Sequence, residues 1–156
     1  MTHTHSPCAP IANQLRWLID RARALERIRM AVVHPCDAPS LRAALQAQRM
    51  GLIEPLLVAP RAKLESVAQQ NGLDLGATAI DDVPHSHAAA ERAAELAKAG
   101  QVQALMKGSL HTDELMAAMV PREAGLRTKR RITHCFVMQT QAYPRPIIIS
   151  DAAVNI

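Results

Sequence analysis

The sequence predicts an α/β fold with three layers, α/β/α, in which helices cover both faces of a mostly parallel sheet and a C-terminal antiparallel hairpin follows. Two observations support this prediction. Short apolar runs alternate with amphipathic segments through residues 30–120, which is typical of right-handed βαβ units. After Gly125, two apolar runs at 132–140 and 146–150 are joined by a link too short for a parallel crossover.

The predicted elements begin with a helix and a buried strand. Residues 1–9 are polar, and we expect them to form a flexible leader. From Pro10 to Ile28, apolar side chains fall at helical spacing, and proline is favoured as a first helical residue. The apolar run that follows predicts a strand at 30–34.

Four helices and three more strands complete the predicted sheet domain. Asp37 is placed to cap the first of these helices, with Pro39 in its first turn and Gly51 just past its end. The other helices are predicted at 61–71, 86–99 and 113–120, and the remaining strands at 55–59, 78–80 and 103–107.

Composition narrows the classes of function. With one Trp, one Tyr and one Phe, the chain lacks the aromatic residues on which bases stack, so we expect no nucleic-acid partner. The net charge of +4 is mild and favours anionic partners. No apolar run approaches the ~20 residues of a membrane span, so we expect no membrane partner. Three widely separated cysteines do not predict a disulfide framework, and they favour a cytoplasmic location.

The histidines do not predict a metal site. His85 and His87 open a predicted helix, where their rings point to different faces, so we expect no shared metal. His34 follows the first strand without an obvious partner in the sequence. His134 alternates with apolar residues on one strand and is typical of a core histidine whose hydrogen bonds are satisfied. Cys36 lies beside an apolar strand and is expected to be inert.

The strongest candidate site is the segment Lys-Gly-Ser-Leu-His-Thr at residues 107–112, which lies between a predicted strand and helix. It is therefore placed at the carboxyl edge of the sheet, where α/β proteins bind ligands. With Lys107, Gly108 permits close backbone approach, Ser109 and Thr112 offer hydroxyls, and the helix offers free N–H groups, which predicts a phosphate cradle. Alternatively, the glycine makes a turn and a hydroxyl caps the helix, and the sequence leaves both interpretations open.

A second group of candidate residues lies near the predicted hairpin. The basic segment 127–131, which includes Arg130 and Arg131, is either a solvated loop or a clamp that pairs with a polyphosphate ligand. Asp151 and Asn155 stand at the end of the last strand, where the carboxylate is either catalytic or caps a turn.

Three segments, ALMKGSLHTDELM, GLRTKRRITHCFVM and YPRPIIISDAAVNI, together resemble the phosphate acetyltransferase/phosphate butyryltransferase family. The resemblance runs from about residue 28 to the end and is closest to the butyryltransferase-like branch, including forms fused to enoyl-CoA hydratase-like domains. It implies reversible acyl transfer between coenzyme A and inorganic phosphate, with acyl-CoA and phosphate as substrates and no other cofactor. It also implies that Lys107, Gly108, Ser109 and Thr112 bind substrate and that Asp151 is catalytic together with Asn155.

The sequence departs from this family at two points. Ala117 stands where many acetyltransferases of the family carry arginine, which argues against acetyl-CoA as substrate. Family members are also considerably longer. The resemblance therefore implies that residues 10–156 form the first-half α/β domain of a phosphate acyltransferase, and that this polypeptide is a truncated and inactive form. The alternative is a non-catalytic module that binds phosphate or a nucleotide. Because its apolar hairpin would expose a strand edge, we expect a homo-oligomer.

Overall fold

Parallel strands and helices alternate through residues 26–127, which form one of two units in the chain. The computed structural model describes residues 15–130, 132–140 and 142–155, so the leader expected at residues 1–9 lies outside the described residues. In chain order the elements of this unit are β1 (Ile28–Val33), α2 (Ala38–Arg49), β2 (Ile53–Ala59), α3 (Arg61–Gln70), β3 (Ala79–Asp82), α4 (Ser86–Lys98), β4 (Ala104–Lys107) and α5 (Thr112–Met119).

The strand order reverses beside β1, and we call the position between the carboxyl ends of β1 and β4 the crevice. The strands pair in the order β3-β2-β1-β4, and every pairing is parallel. The chain winds outward from β1 to β3 and then returns to the other side of β1 to add β4. In open α/β sheets, ligands bind where the strand order reverses in this way, at the carboxyl ends of the two strands. Residues 34–37, the β1 loop, and residues 108–111, the β4 loop, border this position.

Alternating side chains of β1 face two separate helix layers. Val32 is fully buried in a cluster that also contains Leu41 of α2 and Leu64 of α3. Ala31 is fully buried on the opposite face, in a cluster with Ala93 of α4. This arrangement gives the three layers that the sequence predicts, and the α/β fold class is confirmed. Among the described residues, no helix is both long enough and apolar enough to cross a membrane.

Capping fixes the start of α2 directly after the β1 loop. The Asp37 carboxylate accepts a hydrogen bond from Ser40 N at 2.8 Å and is also bonded to the Ser40 hydroxyl. The two bonds from Ser40 are the main cause that lowers the pKa of Asp37. The cap predicted at this residue is confirmed.

We expect Asp37→Ala to lower the free energy of unfolding by about 1 kcal/mol, because the first turn of α2 loses its acceptor. Asp37→Asn is the matched control, since asparagine caps equally well and changes only the charge. Urea unfolding of the three proteins measures the difference. An alanine variant as stable as the asparagine variant would show that the cap contributes nothing.

The helix predicted from Pro10 to Ile28 differs from the structure at its end. In the described residues, α1 spans Arg16–Arg23, and Ile28 is the first residue of β1, where it pairs with Ile53. The prediction extended the helix too far because the apolar side chain of Ile28 fits the helical period and also fits a strand. The predicted start of this helix at residue 10 lies outside the described residues.

The second unit contains α1 and the predicted hairpin. The strands β5 (Thr133–Thr140) and β6 (Tyr143–Asn155) pair antiparallel, which confirms the hairpin. Their register is irregular, since Thr133 pairs with Asn155 while Cys135 pairs with Ser150. The hairpin exposes apolar side chains, among them Ile148 at 69%.

Candidate functional site

The β1 and β4 loops are joined by backbone hydrogen bonds. Gly108 N donates to Val33 O at 2.8 Å, and Ser109 N donates to His34 O at 2.9 Å. These bonds continue the pairing of β1 with β4 past the end of the sheet, where Val33 is in register with Lys107. The two loops therefore form one connected surface at the crevice.

Gly108 is required by the neighbouring loop. A Cβ at this position would lie 2.5 Å from Val33 O and 2.6 Å from His34 O, which is closer than real contacts allow. The sequence predicts that Gly108 permits close approach of a ligand or makes a turn, and a turn with positive φ is wrong, since Gly108 is not among the glycines with positive φ. The structure gives a third reason, because the β4 loop lies directly on the backbone of the β1 loop.

The Ser109 hydroxyl is bonded within the protein. It donates to His34 O at 2.8 Å and accepts from Cys36 N at 3.1 Å. His34 Nδ1 lies 3.3 Å from the same oxygen. The hydroxyl donates its own proton to the carbonyl of His34. Its contact with the imidazole is therefore a hydrogen bond when Nδ1 carries a proton and donates it to Ser109 Oγ. Ser109 thus ties the loops together, and its role in binding substrate remains a prediction.

His34 is the residue of the β1 loop with the most unusual environment. It is 7% exposed and has φ of 51°, a left-handed conformation that is uncommon for residues other than glycine. Burial, reinforced by the positive charge of Lys63, lowers the pKa of His34 below 6.5, and Glu114 and Asp37 oppose this effect. The side chain is therefore held neutral at neutral pH. Strained backbone of this kind clusters at functional sites.

Two further groups shape the electrostatics of the crevice. The Lys107 ammonium donates to Gly108 O at 3.2 Å and to Leu110 O at 2.8 Å, so it spans the β4 loop. Burial raises the pKa of the Cys36 thiol, which agrees with the expectation that it is inert. Lys107 brings a positive charge to the edge of the crevice, where an anion would benefit from it.

The carboxylate of Glu114, in the first turn of α5, accepts a hydrogen bond at the start of its own helix. His87 Nδ1 of α4 lies 2.8 Å from Glu114 Oε1. A hydrogen bond from Ser86 is the largest cause that lowers the pKa of Glu114, and His87 and the His111 N–H add to it. Thr112 is the first residue of α5, and the residue that precedes the helix makes no side-chain cap bond. The sequence leaves open whether the hydroxyl of Ser109 or Thr112 caps this helix. In the structure His111 holds the cap position, so neither residue does.

The other candidate residues belong to the second unit. Arg130 is exposed, and its N–H donates to Thr128 Oγ1 at 3.0 Å, which makes a local turn. Arg131 and the side chain of Asn155 lie outside the described residues. Asp151 is exposed and has φ of 57°, at the position where the pairing of β5 and β6 is irregular. The proposed roles of these residues are not tested by this geometry.

Sequence reasoning missed two parts of the arrangement. It gave His34 no partner, although the histidine contacts Ser109, which is 75 positions away. The contact of Glu114 with His87, the second residue of α4, was also missed. The available signal was topological, since parallel strands that adjoin in the sheet place their following loops side by side. His134 Nδ1, expected to be satisfied, is buried without a hydrogen-bond partner among the described residues.

Comparison with known proteins gives a consistent set of relatives, although no protein-family model matches the chain. It is 51% identical to a phosphate acetyltransferase of Rickettsia felis over 139 residues, which are 89% of this chain and 40% of that protein. It is 29% identical to a phosphate butyryltransferase of Clostridium acetobutylicum over 138 residues, which are 88% of this chain and 46% of that protein. Of these two relatives, the one named an acetyltransferase is the more similar.

A solved structure shares the fold of the chain. A phosphotransacetylase from Staphylococcus aureus superposes with a TM-score of 0.69 at 18% identity, covering 93% of this chain and 52% of that protein. At this identity the superposition is informative about the fold alone. The chain spans about two fifths of the acetyltransferase and about half of the other two proteins.

Proposed function

The chain belongs to the phosphate acetyltransferase/phosphate butyryltransferase family, and on this basis we propose that it takes part in reversible acyl transfer between coenzyme A and inorganic phosphate. The observation that carries the proposal is the 51% identity over 139 residues. A continuous stretch of that length in a chain of 156 residues includes both loops of the crevice. The crevice itself is of the kind that binds ligands in α/β proteins.

The proposed reaction sets clear requirements for the protein. An oxygen of phosphate attacks the thioester carbonyl, and the resulting tetrahedral intermediate collapses with cleavage of the C–S bond. The products are acyl phosphate and coenzyme A, whose thiolate takes up a proton. Cations must surround the phosphate, donors must stabilise the oxyanion, and an acid or base must handle the thiol proton.

We assign roles to residues of each unit taken by itself. Lys107 and Thr112 are proposed to bind phosphate together with free N–H groups of α5. Gly108 and Ser109 are proposed to support this site by holding the β4 loop against the β1 loop. In the second unit, Arg130 and Arg131 are proposed to bind phosphate groups of coenzyme A. Asp151 and Asn155 are the proposed catalytic residues, with the carboxylate as the group that exchanges the thiol proton.

Two observations bear on the identity of the acyl group. Ala117 argues against acetyl-CoA, whereas the higher identity is to a protein named phosphate acetyltransferase. Ala117 lines a small concavity between α4 and α5, together with Glu91 and Glu114. We therefore propose that both acetyl-CoA and butyryl-CoA be treated as candidate substrates.

The second candidate function is a non-catalytic module that binds phosphate or a nucleotide. The phosphate cradle predicted at residues 107–112 is the feature that favours it. In that case phosphate or coenzyme A would bind at the crevice without turnover.

The proposed partners also include a further copy of the chain, supported by the exposed apolar hairpin, and the proposed location is the cytoplasm.

The phosphate site can be tested with two matched lysine variants. We expect Lys107→Met to weaken inorganic phosphate binding about tenfold, since a charged hydrogen bond is lost. Lys98→Met is the control, because Lys98 also donates to a backbone carbonyl, that of Glu123 at 3.2 Å, but lies away from the crevice. Calorimetric titration of phosphate into each protein gives the affinities. Equal losses in both variants would indicate a net-charge effect and would remove Lys107 from the site.

A further inference from the structure

One carbonyl group of the β1 loop receives an unusual concentration of hydrogen bonds. His34 O accepts from Ser109 N at 2.9 Å, from Ser109 Oγ at 2.8 Å and from Cys36 N at 2.8 Å. A carbonyl oxygen has two lone pairs, so these three donors crowd one acceptor. The β4 loop is therefore attached to the β1 loop chiefly through a single residue.

The backbone conformation of His34 makes this attachment possible. With φ of 51°, the chain turns sharply after β1, while His34 N remains bonded to Val58 O of the adjoining strand at 2.9 Å. An ordinary right-handed or extended conformation at this position would direct the carbonyl elsewhere. A left-handed residue with a Cβ is costly, and histidine and asparagine tolerate it better than alanine does.

The His34 side chain acts on the same serine. Its Nδ1 lies 3.3 Å from Ser109 Oγ, and because the hydroxyl donates to His34 O, this contact is a hydrogen bond when Nδ1 carries the proton. Backbone and side chain of one residue therefore fix both the position of Ser109 and the rotation of its hydroxyl.

We propose that His34 is a positioning residue, which through Ser109 sets the shape of the β4 loop and thereby the affinity of the crevice for phosphate. The inference rests on the proposed function only for the identity of the ligand. His34 itself does not touch the substrate in this proposal.

Four variants separate the contributions of backbone and side chain. His34→Asn retains a donor and tolerates the left-handed conformation, His34→Gly retains only the conformation, and His34→Ala retains neither. The fourth variant, Ser109→Ala, removes the hydroxyl. We expect phosphate affinity near the wild-type value for asparagine, about fivefold weaker for glycine, and more than tenfold weaker for alanine. Ser109→Ala should weaken binding at least as much as His34→Gly, because it also removes the bonds of the hydroxyl with His34 O and Cys36 N. Combining the two should cost less than the sum of the single losses, because both remove the contact between Nδ1 and Oγ.

The titration of His34 gives a second readout. The groups whose charges act on it are Lys63 of α3, Glu114 of α5 and Asp37 at the start of α2. Because the pKa of His34 is lowered in the folded state, the unfolded chain binds more protons below pH 6.5. Stability should therefore decline as the pH falls through 6.5 towards the folded pKa, and His34→Asn should reduce this decline. If the Ser109 hydroxyl does not accept a hydrogen bond from His34 Nδ1, Ser109→Ala should leave the imidazole tautomer unchanged.

The decisive experiment is NMR of the 156-residue polypeptide, with inorganic phosphate as the titrant. We expect a wild-type imidazole with the proton on Nδ1, a change in its nitrogen shifts in Ser109→Ala, and faster exchange of the Gly108 and Ser109 amides in His34→Gly. An asparagine variant as impaired as alanine, or a glycine variant with wild-type affinity and exchange, would overturn the proposal. If wild-type protein binds neither phosphate nor coenzyme A, the proposed function fails, and the nitrogen shifts and amide exchange still decide the role of His34.

Discussion

The polypeptide of residues 1–156 is expected to produce acyl phosphate several orders of magnitude more slowly than a longer relative such as the Clostridium acetobutylicum phosphate butyryltransferase. Catalysis of this reaction needs groups that stabilise the oxyanion and transfer the proton, held in place around the substrate. This chain aligns with 46% of that relative, so the groups in the other part of the relative have no counterpart in the alignment. Losing such groups costs orders of magnitude in rate.

The assay is the phosphate-dependent release of free thiol from acetyl-CoA and from butyryl-CoA. The longer relative in the same assay is the positive control. Light scattering of the same sample measures its mass, and we expect self-association through the exposed apolar hairpin. Robust turnover by the purified 156-residue polypeptide, without any longer species in the sample, would show that these residues are sufficient for catalysis and that the expected low rate is wrong.

The fold could be predicted well from the sequence because its signals are local. Caps such as Asp37 and the glycines after the helices lie within a few residues of the boundaries that they set. The antiparallel hairpin followed from the shortness of one link. The errors occurred where a local pattern was ambiguous, as at Ile28, whose apolar side chain fits both a helix and a strand.

The site was predictable in its location but not in its contacts. Strand order places the β1 and β4 loops together, but no local pattern pairs His34 with Ser109 across 75 positions. The left-handed conformation of His34 could also not be predicted from the sequence, because it accompanies the hydrogen bonds between the β1 and β4 loops. Gly108 was singled out correctly as a residue that needs the absence of a side chain. The reason could not be predicted from the sequence, because the atoms that leave no room for a Cβ belong to Val33 and His34, at the end of β1.

Gly108→Ala is expected to lower the free energy of unfolding of the 26–127 unit by about 3 kcal/mol and to weaken phosphate binding at the same time. The added Cβ would meet Val33 O at 2.5 Å and His34 O at 2.6 Å, and both obstacles are backbone atoms that cannot rotate away. The β4 loop must then move, at a cost of about 1–3 kcal/mol for overpacking, together with weakening of two hydrogen bonds worth about 1 kcal/mol each. Gly108→Val should be worse for the same reason.

Gly76→Ala is the matched control for this substitution. Apart from the adjoining residues, no atom of the described part of the chain lies within 4 Å of the Cβ it would add, and its φ of +51° means that alanine there costs only backbone strain of about 1–2 kcal/mol. Urea unfolding gives the two stabilities, and calorimetric titration with inorganic phosphate gives the affinities. We expect the control to lose some stability but to bind phosphate as the wild type does. If Gly108→Ala unfolds at the wild-type urea concentration, the close contact between the loops is not present in solution. If it is destabilised but binds phosphate unchanged, the β4 loop is structural and the phosphate site lies elsewhere.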